Sequence, residues 1–70
     1  MATRLTKREY EVLVRFGKSD AEIAYDLNIA ISTVRSHSRV LYRKLGANTR
    51  AQAIIKALRL ELVNEYSFVL

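Results

Sequence analysis

The chain is 70 residues long, half of it apolar and 27% charged, with 12 Lys+Arg against 7 Asp+Glu and a formal net charge of +5. A chain of this length makes one domain with a modest core, because it hides only about 60% of its unfolded surface. The absence of cysteine excludes disulfides, thiolate zinc sites and thiol nucleophiles, a single histidine excludes a multi-histidine metal cluster, and no apolar run reaches the roughly 18 residues of a membrane span.

In chain order, the first stretch, Met1 to Leu13, lacks the apolar core of a signal peptide, so the expected compartment is the cytoplasm. Thr6-x-x-Glu9 reads as a capping box opening an apolar helix, with Tyr10, Leu13 and Val14 on its inner side and Leu5 and Phe16 near its ends. Ser19-x-x-Glu22 is a second box, and Asp20 with Glu22 suits the positive end of a helix dipole. Ile23, Ala24 and Leu27 form the inner side of this second helix. Asn28-Ile29-Ala30 then makes a short turn, with Ile29 plugged into the core. Ser32 is a weaker start for a third helix, and Thr49-x-x-Gln52 is a box for a fourth. Gly17 and Gly46 each sit where a helix is expected to end in the left-handed conformation. The spacing therefore predicts helices at about 6–16, 20–27, 31–45 and 50–63, with an apolar tail over 65–70 and no strands or repeats. Two short helices joined by about three residues are a helix-turn-helix, so the predicted fold is an all-α, four-helix, bundle-like single domain over 1–70.

The third helix carries the chemistry. On a helical wheel, Val34, Ser38, Leu41 and Leu45 gather on one side, and Ser32, Arg35, Ser36, Arg39 and Arg43 on the other. No Asp or Glu lies between Leu27 and Leu60, although Arg35, Arg39, Arg43, Lys44, Arg50, Lys56 and Arg59 all do. Such a field selects a polyanion, nucleic acid ahead of an anionic membrane. An arginine ridge on one helix fits the major groove, where guanidinium forks bond guanine edges or phosphates. Ser32, Thr33 and the first-turn amides suit phosphate contacts. A merely solvated basic helix is the competing reading, but such helices mix signs through i,i+4 pairs and this one does not. His37 lies between the two faces and reads first as a packing residue. Paired-carboxylate, glycine-loop and nucleophile–base signatures are all missing, so no enzyme, cofactor or metal is expected.

The fourth helix is apolar on two arcs. Ala53, Ile54, Ala57 and Leu60 cover one, and Ala51, Ile55, Leu58 and Leu62 cover the next. A chain this small buries one arc, so the second wants a second copy of the chain or the chain's own tail, Tyr66 to Leu70.

Three stretches resemble the LuxR/GerE-type helix-turn-helix domain: Leu5 to Leu13; Glu22-Ile23-Ala24 with Leu27, Ile29, Thr33-Val34-Arg35 and His37; and Lys44-Leu45-Gly46 with Arg50 and Gln52-Ala53. The resemblance runs from Leu5 to about Leu58. It implies a four-helix domain of bacterial transcription regulators whose third helix enters the major groove and whose fourth helix forms a two-fold dimer. By the same resemblance, Arg35, Ser36 and Arg39 contact bases and Thr33 with its neighbours contacts the backbone. The chain then resembles the stand-alone members, or an excised effector domain. Three features depart from the family pattern. The segment between Val12 and Glu22 is about two residues short, the usual Ser at the start of the third helix is Ala30, and a position often basic or amide is Ser36.

The expected function is a sequence-specific DNA-binding transcription regulator of the bacterial nucleoid, acting as a homodimer on double-stranded DNA. The DNA-contacting set is Ser32, Thr33, Arg35, Ser36, Arg39, Arg43 and Lys44; the dimer set is Ala51, Ile55, Leu58 and Leu62. Another regulator or RNA polymerase is a further partner class. The alternative is a module that binds or antagonises another regulator through the fourth helix and tail. RNA binding is weaker, since stacking sheets and GXXG loops are missing.

Overall fold

Hydroxyl caps set three of the four helix starts in the computed structural model, which describes residues 3–70. The helices are α1 (Lys7–Leu13), α2 (Asp20–Leu27), α3 (Ile31–Leu45) and α4 (Arg50–Arg59), with no strand among the described residues. None is long and apolar enough to cross a membrane. Thr6 Oγ1 accepts from the Glu9 amide at 3.1 Å while the Glu9 carboxylate accepts from the Thr6 amide at 2.9 Å. Ser19 and Glu22 repeat the arrangement at 3.2 and 3.0 Å. Thr49 caps α4 through the Gln52 amide, but the Gln52 side chain accepts from Asn48 rather than Thr49, so that box is displaced by one residue. Ala30 precedes α3 with no side-chain cap, and Ser32 does not replace it. A missing cap of this kind costs on the order of 1 kcal/mol.

The other helix ends follow one rule. Asn28, Gly46 and Glu61 each adopt left-handed backbone, at φ 55, 64 and 58. The next residue in each case donates its amide back into the helix: Ile29 to Ala24, Ala47 to Tyr42 and Leu62 to Ala57, at 3.0, 2.9 and 3.0 Å. That same residue is apolar and packs inward. Glu61 explains why α4 stops at Arg59 and not at 63: the apolar sequence continues, but Val63 reaches the core only if the chain turns. Leu60, expected inside, becomes the C-cap and stays 52% exposed. Gly17 departs from expectation, because Gly46 is the only glycine with positive φ. Instead α1 ends at Leu13, and tight bonds from Arg15 to Val12 and from Phe16 to Leu13 turn the chain.

α3 is the axis on which α1, α2 and α4 pack. Val12, Leu13, Ile23, Val34 and Leu41 are completely buried at that junction. Ala53 and Ala57 are also at 0% exposure, and such small side chains let α4 approach closely. Tyr10, expected on the inner side, is 40% exposed, because Glu9, Val12 and Leu13 supply the buried side of α1. The tail runs to α1, where the Val69 amide donates to Val14 at 2.8 Å and Phe68 packs against the core.

Glu9 is buried, yet its carboxylate takes the Lys44 ammonium at 2.7 Å. Burial pushes its pKa up, but the Lys44 and Thr6 donors outweigh that and hold it below the ordinary glutamate value. A carboxyl with a depressed folded-state pKa stabilises fully above its unfolded value and loses that contribution as pH falls through the folded value. Glu22, bonded by Ser19, and Asp26, bonded by Lys18 and Arg15, shift the same way.

Acid unfolding followed by circular dichroism is expected to steepen below about pH 4.3. Glu9→Gln is expected to lower the neutral-pH melting temperature and flatten this acid dependence; an unchanged profile contradicts the assignment. Gly46→Ala is expected to cost about 1–2 kcal/mol, because a Cβ is strained at φ 64. Gly17→Ala, with nothing within 4 Å of the added carbon, is expected to be neutral or stabilising. Urea titration of the pair checks the ordering.

Candidate nucleic-acid interface

The inward side of α3, Val34, Ser38, Leu41 and Leu45, is buried. Helical periodicity then forces Ser32, Arg35, Ser36, Arg39 and Arg43 outward, and all five are exposed. Thr33 and His37 are half-buried along one border of this ridge. Hydroxyl behaviour differs by side. Ser38 donates to the Val34 carbonyl at 3.0 Å and is thereby satisfied inside the core. Ser36 donates to the Ser32 carbonyl at 3.1 Å but stays at the surface, where its oxygen can still accept.

The ion pairs sort the cations. Arg8 lies 3.9 Å from Glu11, while Asp26 takes Arg15 at 3.3 Å and Lys18 at 2.7 Å. Lys44 sits on the α1 side of α3 with its ammonium on Glu9 and on the Arg4 carbonyl, 2.7 and 3.0 Å away. Among the described residues, Arg39 and Arg43 have no carboxylate partner, and neither do Lys56 and Arg59 on α4. Arg4 and Lys7 at the start of the chain are likewise without one, so four of the six cations unpaired among the described residues lie on α3 and α4, where the positive charge is concentrated.

Arg50 is the residue that sequence reasoning misplaced, by counting it simply among the basic field. Its guanidinium donates to the Lys18 carbonyl at 2.8 Å and the Phe16 carbonyl at 3.5 Å, and lies 4.9 Å from the Phe16 ring centroid. It also pairs with the Asp20 carboxylate. Arg50 thus ties the start of α4 to the turn between α1 and α2. The other Asp20 oxygen accepts from Arg35 Nε at 3.3 Å. Asp20, Arg35, Ser38, Arg39, Tyr42 and Arg50 line a hollow of about 290 Å³ beside the ridge. Nothing in the sequence marks Asp20 and Arg50 as partners, since they are 30 residues apart.

On α4, Ala51 is exposed, Ile55 is 49% exposed and Leu58 37%. Leu62 is half-buried against the chain's own core. Leu58 and Leu62 line a hollow together with Tyr10 and the tail residues Asn64, Glu65 and Ser67. The tail thus borders one end of this arc and leaves Ala51 and Ile55 at the surface.

Residues 3–57 match the model of the family described as bacterial regulatory proteins, luxR family. The probable transcriptional regulatory protein NarL of Mycobacterium tuberculosis is 44% identical over 66 residues, covering 91% of this chain and 31% of that protein. The HTH-type transcriptional regulator MalT of Yersinia pestis is 43% identical over 58 residues, covering 80% of this chain and 6% of that protein. The chain therefore spans less than a third of the length of either relative. The matched stretch contains α1, α2, α3 and most of α4, including the whole arginine ridge, and the chain belongs to the luxR family of bacterial regulatory proteins.

Proposed function

We propose that this chain is the DNA-reading domain of a transcription regulator, with α3 seated in the major groove of a duplex. The observation that carries this reading is the exposed ridge of Arg35, Ser36, Arg39 and Arg43, on a helix with no acid of its own, where Arg35 alone meets a carboxylate among the described residues, that of Asp20. The two NarL and MalT relatives, both named as transcriptional regulators, support it. Arg39 and Arg43 approach the duplex without having to leave a carboxylate. Arg39 with Arg35 and Ser36 reads base edges, and Arg43 takes backbone phosphate. The uncapped start of α3 leaves the Ile31 and Ser32 amides without a side-chain acceptor, a ready seat for a phosphate beside Ser32 and Thr33. Lys44 keeps a third N–H beyond its bonds to Glu9 and the Arg4 carbonyl, and as a point charge it adds backbone affinity on a phosphate.

Two copies associate through Ala51, Ile55, Leu58 and the edge of Leu62, placing two α3 helices on half-sites of an inverted repeat. The exposure of Ile55 and Leu60, at 49% and 52%, also favours a second reading, a module that docks on another regulator or on RNA polymerase through α4 and the tail. The two readings separate at low salt. DNA reading requires duplex binding at about 50 mM salt that weakens steeply as salt rises, whereas the docking module alone shows none.

Selection from a random duplex pool is expected to return an inverted repeat. Arg39→Ala is expected to lose about 1–3 kcal/mol of preference for the selected site over random duplex, and undiminished preference refutes the base contact. Ile55→Asp is expected to yield monomers in sedimentation experiments and to weaken binding to the full repeat more than to a single half-site. A dimer that persists in this variant places the interface elsewhere.

A further inference from the structure

Asp20 shares its carboxylate between two arginines of different mobility. Arg50 is the inner one, 30% exposed and anchored on two backbone carbonyls and the Phe16 ring. Arg35 is the outer one, 63% exposed and bonded to Asp20 only through Nε. An exposed pair of this kind adds little to folding stability. Its geometry has a larger consequence. A guanidinium is planar, so a bond at the Nε–H edge orients the whole fork and leaves the end-on pair of N–H groups, one on each terminal nitrogen, directed away from the carboxylate. Arg50 holds Asp20, and Asp20 in turn aims Arg35. The hollow beside the ridge holds three arginines against this one carboxylate, so Asp20 lowers its attraction for phosphate without reversing it.

We propose that Asp20 is a positioning residue for sequence reading: braced by Arg50, it presents Arg35 end-on to a base edge and raises the preference for the specific site over random duplex. This rests on the groove-facing role of α3 proposed above. Two contacts anchor Arg50 on the Phe16 and Lys18 carbonyls, and two more, Arg50 to Asp20 and Asp20 to Arg35, then transmit the position of α4 to a base-reading side chain on α3.

The test compares binding of the full chain to the selected site and to a random duplex of equal length, by fluorescence anisotropy at fixed salt. Asp20→Asn is expected to lower the ratio of the two affinities by about tenfold, while random-duplex affinity holds or rises because a negative charge is gone. In an Arg35→Ala background the same change is expected to leave the ratio where Arg35→Ala alone put it. A merely structural role instead weakens both affinities together and does so in either background. Asp20→Glu keeps the charge but displaces it by a methylene, so it lowers the ratio with random-duplex affinity unchanged, and it carries the test if circular dichroism shows Asp20→Asn unfolded. An undiminished ratio in the folded variant, or an equal loss without Arg35, overturns this proposal and leaves the DNA reading standing. Failure of the unaltered chain to bind any duplex at low salt overturns both.

Discussion

The burial of one side of α3 is the constraint on which the rest of the molecule depends. α1, α2 and α4 all pack on this helix, and its Val34 and Leu41 are completely enclosed. A helix turns 100° per residue, so enclosing four positions on one side fixes which side faces outward. The arginines of the ridge therefore reach the surface as a geometric result of packing. Their common direction needs no contact among them. The alanines at 53 and 57 serve the same end from the opposite side, because bulkier residues would hold α4 away from the axis.

Charge is organised by a second constraint. Acids in the first half of the chain sit mostly on cations of the scaffold, Glu11 on Arg8, Asp26 on Arg15 and Lys18, Glu9 on Lys44 and Asp20 on Arg50, with Asp20 also holding Arg35 of the ridge. Arg39 and Arg43 are left without a carboxylate among the described residues. A modest net charge thereby becomes a localised field, and a localised field attracts a polyanion more effectively than the same charge dispersed. Glu9 illustrates the economy of a small domain. One carboxylate completes the capping box of α1 and, through Lys44, binds α1 to α3.

The chain also depends on well-made helix ends, since helices of 7 to 15 residues are marginal alone. Left-handed residues at 28, 46 and 61 return an amide to the preceding helix and turn an apolar neighbour into the core, so each turn both terminates and anchors. Only one of the three is glycine. The strain at Asn28 is small, because asparagine tolerates this region, while Glu61 is held there by the burial of Val63 beyond it.

The sequence by itself determined the all-α class, the caps at Thr6, Ser19 and Thr49, the inner positions of α3 and the outward arginine ridge. These follow from local hydrogen bonding and from a periodicity that any isolated helix shares. Family membership was legible too, in the order and spacing of short apolar and polar groups. Tertiary structure decided what depends on distant partners. It closed α4 at Arg59 against an uninterrupted apolar pattern, left Tyr10 and Leu60 exposed, and gave Gly17 an ordinary backbone. It also divided the basic residues into scaffold and surface, withdrawing Arg50 into an anchor and placing Lys44 on Glu9. Residue types and spacing state how many charges a chain carries. Which of them remain unneutralised is fixed only when packing brings residues 30 or more positions apart within reach of one another.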